Sequence, residues 1–119
     1  MKKIYFLPNC TTCLRILEET GLEKRGFLVR DIRTERISEL ELDEMKRLSG
    51  SFESLFSRRA IKYKSLGLKD KVMSEQDYRS YILEEYTFLK RPVVVVDGRI
   101  FVGSDKSTVL ALKKAVEAL

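Results

Sequence analysis

Residues 2–15 read KKIYFLPNCTTCLR and carry both cysteines of the chain. Over residues 2–7 the apolar side chains fall on both faces, Ile4 and Phe6 on one, Tyr5 and Leu7 on the other. That pattern suits a central strand buried on both sides. Pro8 and Asn9 break it. The spacing then predicts a helix over 11–20, with Leu14, Ile16 and Leu17 as its apolar positions and Gly21 as its stop. GFLVRD, over 26–31, predicts a second strand. Strand, helix and strand in this short span make a β-α-β unit and favour a parallel strand pair.

Working outward, the middle of the chain reads as helix. Ser38 and Glu41 fit a capping box, followed by apolar Leu40, Leu42, Met45 and Leu48 and an end at Ser49-Gly50. Phe52, Leu55 and Phe56 begin a shorter helical piece that leads to Ser57-Arg58-Arg59. Ile61, Tyr63, Leu66 and Leu68 continue it to a break near Gly67. Ser74 caps a helix over 75–85 that buries Tyr78, Ile82 and either Tyr81 or Leu83. RPVVVVDGRIFVG, residues 91–103, has two apolar runs around Asp97-Gly98, a strong two-residue hairpin signal. Strands over 93–96 and 99–102 should therefore be antiparallel neighbours. Ser104 or Asp105 caps a last helix with Val109, Leu112 and Val116 inward. The order β-α-β, helical stretch, β-β-α is that of an α/β, thioredoxin-like fold. It implies a four-stranded mixed sheet in a single domain over 1–119, with a helical insertion over about 38–88.

Composition narrows the function. The 119 residues are 44% hydrophobic and 34% charged, enough for one core without a metal or disulfide staple. No apolar run reaches the ~20 residues of a membrane span. The apolar part of MKKIYFLPN is too short for a secretory signal, so a cytoplasmic protein is expected. In a reducing compartment a C-x-x-C pair points to redox or metal chemistry rather than a permanent staple. The net charge is +5, but the 23 basic residues are spread among 18 acids without a recognised nucleic-acid motif. Neither nucleic acid nor membrane is an expected partner, whereas a small oxyanion is compatible with the charge. The chain has no histidine. A Cys-His dyad and a mixed Cys/His zinc site are thereby excluded, and two thiols fall short of a closed zinc shell within one chain.

A thiol at a strand-to-helix turn faces free backbone N–H groups and the positive end of the helix. Such placement, with Arg or Lys nearby, lowers a cysteine pKa from about 8.5 to ~7 or below. On this logic Cys10, at the turn, is the nucleophile. Cys13, in the first helical turn, points toward the same end and can resolve a bond formed on Cys10. The hydroxyls of Thr11 and Thr12, beside exposed amides, suit an oxyanion. The plainer alternative is a pair of small buried hydrophobes.

Positive charge near Cys10 must come from arginine, lysine or helix amides. Arg91 precedes Pro92 at the entry to the third strand, and in this fold that entry lies beside the cysteine turn. Pro92 is thus a candidate cis proline. Arg91 can offer an anion the planar, two-pronged donor set of a guanidinium. Arg58 and Arg59 are further candidates, with a solvated surface as the plainer alternative for both.

PNCTTCLR, LFSRRAIKYKSLGL and FLKRPVVVVDGRIFVG, in that order, resemble the glutaredoxin-coupled arsenate reductases and their Spx-type relatives. The resemblance covers nearly the whole chain. It implies a reductase in which Cys10 attacks arsenate, glutathione attacks the adduct and glutaredoxin completes the reduction to arsenite. No bound cofactor is implied; electrons come from glutathione, glutaredoxin or a thioredoxin. Cys10 takes the nucleophile's place and Arg91 that of the arginine before the cis proline. The middle arginine falls on Arg59 by its spacing from Tyr63, with Arg58 next to it. The third arginine of the enzymes, after the final hairpin, is replaced here by Phe101-Val102-Gly103. Spx-type regulators use C-x-x-C as a disulfide switch, bind the RNA polymerase α-subunit and end the hairpin in a Val-Gly like Val102-Gly103. The nearest counterpart of their polymerase-contacting glycine is Gly50.

Overall fold

The computed structural model describes residues 1–119. Its elements are β1 (Lys2–Phe6), α1 (Thr11–Thr20), β2 (Leu28–Asp31), α2 (Glu39–Ser49), α3 (Ile61–Ser65), α4 (Glu75–Glu84), β3 (Val93–Val96), β4 (Arg99–Val102) and α5 (Lys106–Glu117). The chain falls into two compact units, residues 1–36 with 91–119, and residues 37–90.

The first unit is an α/β layer in the thioredoxin-like order. Its mixed sheet runs β2-β1-β3-β4. β1 is parallel to β2 and antiparallel to β3, and β3 is antiparallel to β4. The hairpin falls where Asp97-Gly98 predicts it. Both residues are left-handed, at φ 43° and 84°, which matches the twist of a two-residue turn. One face of the sheet presents Ile4, Phe6, Val94, Val96 and Phe101. These pack with Cys13 and Ile16 of α1 and with Leu112, Ala115 and Val116 of α5. Burying a side chain such as Ile4 or Val94 contributes about 1.5–3 kcal/mol. Tyr5, Val93 and Val95, on the opposite face, are buried as well.

Both β1 and β2 are shorter than the sequence pattern implies. Leu7 leaves the ladder because its carbonyl accepts the Cys10 N–H at 3.1 Å, closing the turn over Pro8 and Asn9. Gly26 and Phe27 belong to a turn, their N–H groups bonded to Glu23 and Leu22 carbonyls and Gly26 at φ 83°. The inward stripe of α1 also differs. It runs through Cys13, Ile16 and Thr20, with Leu17 packed alongside, so Leu14 faces out.

The second unit is held by caps and aromatics. Ser38 and Ser74 each accept an N3 backbone N–H, and Glu41 and Asp77 reach back to the cap amides, giving α2 and α4 reciprocal capping boxes. Leu42 and Met45 are the buried face of α2, whereas Leu40 is 82% exposed. The short helical piece that begins at Phe52 is a single 3₁₀ turn over Glu53–Leu55, capped by Phe52 and Phe56. The Glu75 carboxylate accepts the N–H groups of Phe52 and Glu53 at 2.7 and 3.1 Å, which fixes that turn. Phe56 stacks on Phe88 and meets Tyr78 edge-on, both at 5.0 Å between centroids. Past this cluster α3 is short, and Ile61 and Leu66 stand in solvent with Leu68 buried.

Candidate active site

The site begins where β1 hands the chain to α1. Cys10 is extended, at φ −95° and ψ 103°, and occupies the N-cap of α1. Its carbonyl accepts the Leu14 N–H at 3.1 Å, and its Sγ accepts the Cys13 N–H at 3.3 Å. A sulfur thus stands where a Ser, Asn or Asp oxygen ordinarily caps a helix. Thr11 and Thr12 are the first two helical residues, so their N–H groups have no acceptor within the helix. The first turn of α1 holds no acidic side chain. The positive end of the helix is therefore left uncompensated beside a half-buried thiol.

Cys13, three residues on, lies in the core with no exposed surface. Its thiol is pushed up to about 12, first by burial and next by its hydrogen bond with Cys10. A Leu7 backbone hydrogen bond and the Arg91 charge act the other way, and they are outweighed. At neutral pH Cys13 is a thiol, and both cysteines are free.

Register brings Arg91 to this end of the sheet. Tyr5 pairs with Val93 at the last rung of the β1–β3 ladder, so Pro92 and Arg91, which lead directly into β3, lie at the end of the sheet where β1 runs out toward the cysteine turn. The Arg91–Pro92 peptide bond is cis. The Pro92 carbonyl accepts the Gly103 N–H at 2.9 Å, which ties the entry of β3 to the exit of β4. Arg91 itself is half-buried.

Cys10, Thr11, Thr12, Cys13, Arg91 and Pro92 all belong to the first unit, and Arg58 and Arg59 to the second. Within the second unit Arg58 is engaged. One guanidinium nitrogen donates to Glu53 at 2.9 Å and to the Tyr78 hydroxyl at 3.0 Å. Both bonds are made by the same nitrogen, and the Arg58 side chain remains exposed. Arg59 is exposed, with its backbone N–H donated to Ser57 Oγ. Two main-chain groups of the site escape a reading of side chains, the Leu7 carbonyl and the Cys13 N–H. Only the cap position of Cys10 hints at the second.

The sequence profile of the ArsC family matches residues 5–112. The chain belongs to the ArsC family. It is similar to Escherichia coli YfgD, at 26% identity over 113 residues, 92% of this chain and 94% of that protein. Similarity also extends to the global transcriptional regulator Spx of Bacillus subtilis, at 24% over 110 residues, 92% of this chain and 84% of that one. Among solved structures, arsenate reductase from Vibrio cholerae shares the fold, with a TM-score of 0.76 at 24% identity over 92% of this chain and 95% of its own. No helix of this ArsC-family chain is long and apolar enough to cross a membrane. What its site offers chemically is a half-buried sulfur, two helix amides without intrahelical acceptors and a nearby guanidinium. That set can bind a small oxyanion and place a sulfur nucleophile against it.

Proposed function

We propose that this ArsC-family protein is a thiol-dependent oxidoreductase in which Cys10 attacks a small oxyanion such as arsenate. The observation that carries the reading is Cys10 Sγ at the N-cap of α1, meeting the Cys13 N–H beside the amides of Thr11 and Thr12. The Cys10 thiolate forms a sulfur–arsenic bond, and one arsenate oxygen departs as water. A second thiolate attacks the Cys10 sulfur. The sulfur–sulfur bond forms, the sulfur–arsenic bond breaks with its electron pair left on arsenic, and arsenite leaves. Arg91 and the helix amides hold the oxyanion while charge moves through it. Glutathione with glutaredoxin, or a thioredoxin acting on a Cys10–Cys13 disulfide, returns the thiols. The test is arsenite release with each donor system in turn. Wild-type protein turns over with one of them and Cys10→Ser with none; turnover by Cys10→Ser would falsify the mechanism.

A second reading, an Spx-like redox switch that binds the RNA polymerase α-subunit, is favoured by the regulator Spx standing among its relatives. Retention on immobilised α-subunit in one redox state and release in the other is its expected signature. Absence of retention in both states removes it.

A further inference from the structure

The second unit divides its charge. Residues 58–72, RRAIKYKSLGLKDKV, hold six basic residues and one acid, a net +5. The rest of the unit, 37–57 with 73–90, holds four basic residues and nine acids, a net −5. Helix α4 is the ridge between the two. One face of it fastens the basic strip: Arg58 donates to the Tyr78 hydroxyl at 3.0 Å, Lys71 to the Tyr81 hydroxyl at 3.3 Å and Lys62 to the Glu85 carboxylate at 2.6 Å. A different face, at Arg79, holds the start of α2 through Asp43 at 2.9 Å and Glu39 at 3.4 Å. Gln76, Ser80 and Glu84, spaced four apart, form an exposed stripe along α4 between these flanks.

Both flanks also leave apolar side chains in solvent. Leu40 on α2 is 82% exposed, and Ile61, Leu66 and Val72 along the strip are 87, 56 and 97% exposed. Glu39 stands exposed beside Leu40, and Arg59, Lys64 and Lys69 stand exposed on the strip. An acidic helix start with an exposed leucine complements a basic strip with exposed aliphatics, in charge and in apolar character. Within one chain α4 keeps the two apart.

We infer that two copies of this chain pair about a two-fold axis over the Gln76–Ser80–Glu84 stripe, each laying its basic strip against the start of the other's α2. Such an axis uses each flank twice and runs the two α4 helices antiparallel. It sets Glu84 of one copy toward Gln76 of the other rather than toward a like charge. Other occupants fit the strip less well. Tyr63, its one aromatic, meets Phe56 edge-on at 6.0 Å and offers no ring for a nucleic-acid base to stack on. α3 makes little more than one turn, so it has no continuous apolar face to lay into a lipid surface.

The test is sedimentation of the full chain. Strips of this length fall at the small end of interfaces, below ~1,200 Å² in total, so the pair is weak and concentrated protein is used. The expected mass is that of a dimer at about 0.1 M ionic strength and of a monomer at about 1 M, as the screening length falls from ~10 to ~3 Å. Lys64→Glu with Lys69→Glu should be monomeric, and so should Glu39→Lys with Glu44→Lys, each raising Kd by more than about tenfold. Mixed in equal amounts, the two variants should regain the dimer, because every flank then meets its opposite. A misfolded variant cannot be rescued in this way. A wild type that stays monomeric at every concentration and salt overturns the inference. So does a dimer indifferent to both variants, or a mixture that stays monomeric. Binding of duplex DNA or phosphatidylserine vesicles by the strip, in a chain that stays monomeric, assigns it another occupant and overturns the pairing as well.

Discussion

Helices α2 and α4 begin one way and α1 begins another. Ser38 and Ser74 close their helices with reciprocal boxes, and acids fill the first turns, Glu39 and Glu41 in one, Glu75 and Asp77 in the other. The start of α1 has a sulfur for a cap, no acid in its first turn and two threonine amides without intrahelical acceptors. Positive potential that is neutralised where a helix only supports the fold is left open where chemistry is expected. The difference separates a stabilising terminus from a reactive one, using the same backbone geometry.

The largest break in that contrast comes from Cys10→Ser. Serine is a good N-cap, so α1 should keep its start and the melting temperature should stay within about a degree or two. Turnover and alkylation should vanish altogether. A large fall in melting temperature would mean the sulfur is needed for folding. Next is Arg91→Ala, which should weaken oxyanion binding by about 1.5–3 kcal/mol, read as a raised Kd in anion titration. Smaller again, Ser38→Ala and Ser74→Ala should each cost ~1 kcal/mol in denaturant unfolding and leave Cys10 alkylation untouched. A changed alkylation rate in either would erase the distinction between the two kinds of terminus.

The smallest effect concerns α5, a third design. Its cap, Asp105, accepts the Thr108 N–H and the Ser107 and Thr108 hydroxyls, which hold its carboxyl down at about 2. The folded value lies below the ordinary carboxylate value, so this capping stability is full above about 4 and is lost as pH falls toward about 2. Acid titration of wild type and Asp105→Asn by helix signal should converge across that window. Divergence there would show that the carboxylate is not what caps α5.

Much of this architecture is local and therefore legible in the sequence. The Asp97-Gly98 turn, the Ser38 box, the Ser74 cap and the Gly21 stop each depend on residues within a few positions, and the structure has all of them, with Asp77 completing a box at Ser74 as well. Side-chain direction was less legible. A leucine at 14 and one at 40 fit an apolar stripe as well as their neighbours do, yet the packing partners decide, and both face out. Contacts across long separations were not legible at all. Glu75 reaches back to the amides of Phe52 and Glu53, and nothing near either stretch announces it. The same holds for Cys13. The C-x-x-C spacing puts it one helical turn from Cys10, but only the covering core makes one cysteine half-buried and the other sealed.

The hairpin works as a ruler. Its two-residue turn fixes Val93 opposite Val102, and the next rung joins the Gly103 N–H to the Pro92 carbonyl. One residue added at the turn would slide β4 by about 3.3 Å along its neighbour and present the wrong residue to that carbonyl. The segment carrying Arg91 would then lose a fastening through an edit made at the opposite end of both strands. The length of a remote loop, rather than any residue near the sulfur, calibrates where that positive charge is moored.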